Sequence, residues 1–449
     1  MKIPLNERKV ICSLLKQYVN KSLTFDDIEK IINEITNKIK ITFDNEQRIK
    51  HYICKFIYEK DDSFILDFSK DRKKSIFNIN NIDNDKLGEI ELKRTEIVKQ
   101  LKSIIYPAQR TLQWYNQRKA MITASDGGTV LDMNEHEEQY KFIIKKITNL
   151  PFKGNKFCYH GKKYEKIALM IYENKLNVKV ADFGLVQHIK YPFIGASPDG
   201  IVDLYKLDGK SKTKYVGRMI EIKCPLSRKI KTKGKNICPL YYWVQVQLQL
   251  ETCDLDECDF WQCSISEYEN KEEFEKDTKD DEKYKSQTNG LEKGCLIQLI
   301  ENGIANYYDN VYEHAIFIYP PKLQMSPEDC QKWISDEVST FKEKKEYSCY
   351  SIDKIIYWRI ELASCYLIKR DKDWFNKYLA TFEKMWNYVT FLREHETEKN
   401  MFIKFVDKLQ IKDNGYIMNV VEKLYNKDET VKEEMKKVID YDGYIPPED

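Results

Sequence analysis

No run of about 18 apolar residues occurs in the 449-residue chain, so the sequence offers no candidate for a membrane-crossing helix. The opening MKIPLNERKV lacks the apolar core of a signal peptide. Charge of one sign is missing too: 74 Lys and Arg face 72 Asp and Glu, for a formal net charge of +2. Affinity for nucleic acid must therefore come from local basic patches and not from the field of the whole molecule. Paired cysteine spacing is also absent. The 12 Cys are scattered, a pattern of reduced thiols in a cytosol-like compartment, not of a disulfide framework. Cys253, Cys258 and Cys263 have no CxxC pair or nearby His and make a poor zinc set. A soluble, intracellular protein is the expectation.

What is abundant is apolar and aromatic material. Hydrophobic residues make up 42% and aromatics 13%, with 30 Tyr and 20 Phe, enough for a sizeable packed core. The length exceeds what one core usually organises, so a main domain with appended helical parts is expected.

Along the chain, residues 1 to about 100 read as helices. Ile28, Ile31, Ile32 and Ile35 recur at helical intervals, and a polar stretch from Asn78 to Lys86 reads as a linker or an exposed loop. Thr123 and Ser125 precede a helix whose first amides would be open to an anion, with Arg118 a turn or two earlier. The plainer reading makes Ser125 an N-cap and Arg118 a surface cation. His160 to Leu176 is a helix with Glu165 in its first turns among apolar neighbours. A carboxylate turned inward there needs a partner, whereas one turned outward serves the helix dipole or a surface ion pair.

The densest chemistry lies between Ile194 and Pro225. IGASPDGIVD reads as a strand bent at Pro198 and Gly200, which turns Asp199 out of the ladder. MIEIKCP alternates, with Met219, Glu221 and Lys223 on one face and Ile220, Ile222 and Cys224 on the other. A Glu and a Lys between buried isoleucines are costly unless something charged stands before them, and a divalent cation with a phosphate would serve. Lys206, Lys210, Lys212, Lys214 and Arg218 precede this strand, and Arg228, Lys229, Lys231, Lys233 and Lys235 follow it, as solvated loops or as a phosphate track.

Leu240 to Leu250 is a two-faced helix, with Trp243, Val246 and Leu250 apolar and Tyr242, Gln245 and Gln249 together on the other side. Phe260 to Ile265 reads as a strand, and Glu267 to Lys283 as an exposed acidic insertion. His314 to Tyr319 is a strand, and Ser326-Pro327 opens a helix. The spacing then predicts two long helices, about Ile352 to Arg370 and about Lys372 to Leu392, before a short helical tail.

Phosphodiester hydrolysis needs hard oxygen ligands for Mg²⁺, an activated water and a cation near the scissile phosphate. Asp199, Glu221 and the carbonyl of Ile222 could hold the metal, Lys223 could orient or deprotonate the water, and Glu165 could complete a second metal position. The acid-x-Lys spacing recurs at Asp281 to Lys283 and Glu343 to Lys345, so context carries the weight. In QRTLQWYNQRKAMITAS, GKKYE, GASPDGIVD, EIKCP and YYWVQVQLQ, from about Gln109 to Ile265, the chain resembles the PD-(D/E)xK nuclease superfamily. Within it, the likeness is to the lambda-exonuclease-like, YqaJ-type viral recombinases.

That resemblance implies an α/β restriction-endonuclease-like core, a mixed sheet flanked by helices. The core would span 101–325, between an N-terminal helical region 1–100 and a C-terminal helical region 326–449. It makes Glu165, Asp199, Glu221 and Lys223 catalytic, with Mg²⁺ replaceable by Mn²⁺. It places a 5′ phosphate at Arg118 and Ser125, and Tyr242 and Gln245 along the cleft. The implied activity is 5′ to 3′ exonuclease action on ends of duplex DNA in viral recombination, repair or replication, at a host cytoplasmic or viral replication site. A single-strand annealing protein and further copies of the chain would be the partners. A structure-selective endonuclease and a non-catalytic DNA-binding scaffold are the alternatives. Gly127-Gly128, expected to loosen the phosphate pocket, and the long loop from Leu204 to Gly217 depart from the family pattern.

Overall fold

The computed structural model describes residues 87–104, 106, 111–148, 154–233, 236–304 and 307–440. The helices expected before residue 87 and the linker 78–86 lie outside the described residues. The chain divides into two compact units, 1–83 with 231–237 and 84–230 with 238–449. The second contains everything described below.

After helices α1 (Glu89–Ser103) and α2 (Leu112–Lys119), a short strand β1 (Ile122–Thr123) leads into helix α3 (Gln139–Ile147) and the long helix α4 (Lys156–Leu176). Asn155 caps α4 by accepting from the amides of Phe157 and Cys158. Strands β2 (Val180–Ala181), β3 (Val186–Gln187), β4 (Ile194–Ala196), β5 (Gly200–Val202) and β6 (Met219–Lys223) precede helix α5 (Leu240–Cys253) and strand β7 (Glu257–Glu267). Then come β8 (Lys293–Glu301), β9 (Ala315–Ile318) and helix α6 (Pro327–Thr340), followed by β10 (Tyr350–Lys369). Helices α7 (Lys372–Glu394), α8 (Glu396–Lys408), α9 (Asn414–Tyr425) and α10 (Thr430–Ile439) end the described chain.

Ten strands form two sheets among the described residues. The small one runs β1-β4-β3, and the large one β2-β5-β6-β7-β10-β8-β9. The large sheet is mixed: β6 and β7 pair in parallel, as the α5 crossover between them requires, while β5 meets β6 antiparallel. A mixed sheet flanked by helices is the α/β core that the sequence led us to expect. The segment IGASPDGIVD is not one bent strand, however. β4 lies in the small sheet and β5 in the large one, so the Ser197–Asp199 link is where the chain changes sheets.

β6 is covered on both faces. Ile220, Ile222 and Cys224 join Tyr164, Ile167, Ala168 and Ile171 of α4, while Met219 packs with Val246, Leu250 and Cys253 of α5. Helix α5 is apolar on two sides, not one: Val244 and Leu248 belong to a separate core made with the small sheet, α3 and the C-terminal helices. Gly127 and Gly128 do not loosen this region. A Cβ on Gly127 would stand 2.4 Å from Leu248 Cδ1, and one on Gly128 would stand 3.0 Å from the backbone Cα of Tyr241. The two glycines let the chain press against α5, close approach being what a missing side chain permits.

Two further expectations are corrected. Tyr350–Lys369 is a 20-residue strand, not a helix, and it pairs with β7 on one side and β8 on the other. The charged stretch after β7 is not a merely exposed insertion. It folds back as a short helix, Lys271–Lys276, and buries Phe274 in a core with Cys295, Met325 and Cys330.

Candidate active site

The end of β6 supplies the centre. Glu221 is 1% exposed, and its carboxylate accepts from three side chains. Lys223, two residues on and on the same face, donates to Oε1. Gln245 Nε2 donates to the same oxygen at 2.7 Å, and Gln249 Nε2 donates to Oε2 at 2.7 Å. A carboxylate only accepts, so both amides must present nitrogen to it. The costly pair on the strand is thus partly compensated from within.

Across the hairpin, Asp199 Oδ2 accepts from the Ile222 amide at 2.7 Å. Enclosure pushes the Asp199 carboxyl well above the usual carboxylate range, and the neighbouring charges of Glu221 and Glu165 add to the effect. Burial works against the Lys223 ammonium, but Glu221, with Tyr242 and Asp199, outweighs it and holds it above the ordinary lysine range. The Lys223 Nζ also stands 4.5 Å from the centre of the Tyr242 ring, a cation–π distance.

Glu165, Asp199, Ile222, Lys223 and Tyr242 line one cleft of about 800 Å³, together with Glu135, His136, Phe157 and Arg228. Helix α4 brings Glu165 to it because 158, 161, 162 and 165 share one face at spacings of three and four, and Cys158, Gly161 and Lys162 line the cleft beside it. Among the described residues, no three His, Cys, Asp or Glu side chains stand ready-gathered as a metal cage. The hard oxygens at hand are those of Asp199 and Glu221, with Glu165 near enough to Asp199 to perturb it.

Arg118 and Ser125 come together with each other but do not line that cleft. Arg118 Nη2 donates to Ser125 Oγ at 3.1 Å and to Thr123 Oγ1 at 3.3 Å. Below them, buried Asp126 accepts from the Thr123 amide and hydroxyl and pairs with Lys145 at 2.7 Å and Lys146 at 2.9 Å. Burial alone would raise the Asp126 carboxyl, but Lys146 and Lys145 hold it well below its ordinary value. Thr123 and Asp126 form a reciprocal capping box, so the cap belongs to Thr123 while Ser125 remains exposed.

Of the expected basic track, Arg218 is withdrawn. It is buried and pairs with Glu257 at 2.7 Å and Asp259 at 3.5 Å. Sequence reasoning put Gln249 on the face of Tyr242 and Gln245 but did not count it among the site residues, although its position four residues after Gln245 carried the signal. It also left out Asp126 and Lys145, which nothing in their spacing marked.

Residues 113–256 match the family described as the YqaJ-like viral recombinase domain. All the site residues named from the sequence fall inside that segment. A protein of Acanthamoeba polyphaga mimivirus is 38% identical over 334 residues, 73% of this chain and 60% of that protein. A protein of African swine fever virus is 28% identical over 161 residues, 31% of this chain and 45% of its own length. The chain thus spans less than two thirds of the length of these relatives. Among solved structures, an alkaline exonuclease from Laribacter hongkongensis is similar at 15% identity and a TM-score of 0.34, over 65% of this chain and 98% of that one. Among the described residues, no helix is long and apolar enough to cross a membrane.

Proposed function

We propose that this protein is a metal-dependent deoxyribonuclease that degrades linear duplex DNA from its ends, in the 5′ to 3′ direction, in viral DNA recombination, repair or replication. The observation that carries the reading is that Lys223, paired with buried Glu221, and Asp199, held by the Ile222 amide across a hairpin, line one cleft with Glu165, within the segment that matches the viral recombinase domain. The relatives from large DNA viruses support the viral setting.

Asp199, Glu221 and the Ile222 carbonyl would hold Mg²⁺ or Mn²⁺, with Glu165 beside them, because hard cations take oxygen ligands. Burial first, and then the neighbouring charges of Glu221 and Glu165, raise the Asp199 carboxyl, and a divalent ion would offset both. When bound, it supplies a polarised phosphoryl group and an activated water. Lys223 supplies positive charge next to the scissile phosphate, backed by Tyr242, and Gln245 fixes the Glu221 carboxylate. Arg118 and exposed Ser125 would receive the terminal 5′ phosphate through guanidinium and hydroxyl donors. DNA ends and a single-strand annealing protein are the partners that fit this reading.

The test compares a linear duplex bearing 5′ phosphates, the same duplex without them, and a covalently closed circle, each with Mg²⁺. Degradation of the linear forms is expected, faster with the phosphate, with the circle intact. Glu221→Ala should lower the rate by about two to four orders of magnitude, the range for losing a group that acts on the reacting centre. Unchanged activity in that variant, folded by circular dichroism, overturns the site. Rapid nicking of the circle would favour an endonuclease instead.

A further inference from the structure

The basic run after Pro225 reads as solvated lysines, but one member is built in. Arg228 Nη2 donates to Gln262 Oε1 at 2.8 Å. Gln262 is 0% exposed and sits in the middle of β7, where the parallel pairing sets it directly beside Lys223. Two-residue alternation along β7 keeps Gln262 on the same side as Phe260, the side that α5 and Glu221 occupy. A buried amide on the central sheet needs partners, and this one turns its oxygen to the arginine. Arg228 also stands over Tyr242, with its Cζ 5.8 Å from the ring centre, and lines the cleft. Lys223 and Arg228 therefore face the cleft over one aromatic ring, the first anchored by Glu221 and the second by Gln262. Lys229, next in the run, is exposed.

We propose that Gln262 is a positioning residue for the substrate: it fixes the Arg228 guanidinium against Tyr242 so that the remaining donors of that fork grip a backbone phosphate of the strand lying at Lys223. One nitrogen spent on Gln262 leaves Arg228 most of its five donors. A neutral anchor also keeps the full positive charge for the phosphate, which a carboxylate anchor would cancel. This assignment rests on the nuclease reading above.

The experiment measures binding of the full chain to a labelled linear duplex without divalent cation, so that nothing is cut, at salt concentrations from 50 to 200 mM. Each phosphate contact contributes a slope of about −0.9 to log K against log salt. Arg228→Ala should flatten the slope by one such contact, and Gln262→Met, which keeps the volume but not the acceptor, should flatten it equally. The double variant should lose nothing further. Gln262→Glu, which holds the arginine but neutralises it, should flatten the slope too and covers the case in which Gln262→Met melts early. An unchanged slope in Gln262→Met and Gln262→Glu beside a flattened one in Arg228→Ala overturns the positioning role. An unchanged slope in all three overturns the phosphate contact, while digestion of linear DNA by the native protein leaves the nuclease reading standing. Absence of any binding by the native protein overturns both.

Discussion

Glu221 is enclosed on a strand between two isoleucines, and what makes its charge tolerable is the number of donors aimed at it. Lys223, Gln245 and Gln249 together occupy both oxygens. The Gln249 side chain does nothing else visible: its Oε1 has no protein hydrogen-bond partner among the described residues, and the residue is 0% exposed. Such an amide fixes the direction of a carboxylate, and losing an orienting partner of this kind typically costs about 10–100-fold in metal affinity or activity. Gln249→Met is expected to weaken Mn²⁺ binding and nuclease rate within that range and, by taking a donor from a buried carboxylate, to lower stability by about 1–3 kcal/mol. Calorimetric titration with Mn²⁺ reads it, and native affinity in a folded variant would remove Gln249 from the site.

At the scale of elements, α5 does the joining. Its Val246 and Leu250 face the large sheet while Val244 and Leu248 face the small sheet and the C-terminal helices, so the glutamine row has one direction left. The end of α5 is held by charge. Glu251 accepts from Arg370 Nε at 2.7 Å and lies 3.9 Å from His188 Nε2, and Arg370 also reaches Asp254 at 2.7 Å. Burial alone would raise the Glu251 carboxyl; His188 and Arg370 outweigh it and bring it to about 2 from 4.5. The folded value lies below the unfolded one, so this stabilisation is full above about pH 4.5 and is lost as pH falls toward 2. Arg370→Ala should therefore destabilise the protein at pH 6 by about 1–3 kcal/mol, as for a hydrogen bond to a charged group. The gap from the native protein in urea unfolding should narrow between pH 4.5 and 3. A gap independent of pH would mean that Arg370 acts through packing alone.

At the scale of the molecule, β10 decides what is core. It stands between β7 and β8, and without it β8 and β9 lose their link to the rest of the sheet. A chain ending after residue 349 should therefore fail to fold, showing no near-ultraviolet circular dichroism. Amides of Ile356 to Ile360 should be among the slowest to exchange in the intact protein. A soluble, cooperatively melting 1–349 fragment would contradict this.

The helical reading of this strand has a physical origin. Its register shifts at Ile352/Lys354 and again at Ile360/Leu362, and each extra residue swaps the faces of the strand. Ile356, Trp358 and Ile360 face the α4 side, but beyond Glu361 it is Ala363 and Cys365 that do. The step from Ile360 to Ala363 then imitates a helical interval, so alternation was hidden by two bulges that only the pairing partners define. The β6 strand carries no such shift, and its alternation, with Glu221 and Lys223 on one face, was legible directly.

Local chemistry made some of this geometry legible in advance: the face shared by Glu221 and Lys223 and the row of Tyr242, Gln245 and Gln249 follow from periods of two and of three to four residues, whereas the break at Pro198 and Gly200 was legible but the change of sheet there was not. Those periods act within a single element and need no partner to be read. Which donors reach Glu221, that Arg218 is spent on Glu257 and Asp259, that Arg228 is held by Gln262, and that β10 completes the sheet were decided by tertiary structure. Lys223 aside, each depends on residues 24 or more positions apart meeting across a sheet or a helix, and packing chooses such partners where sequence spacing cannot.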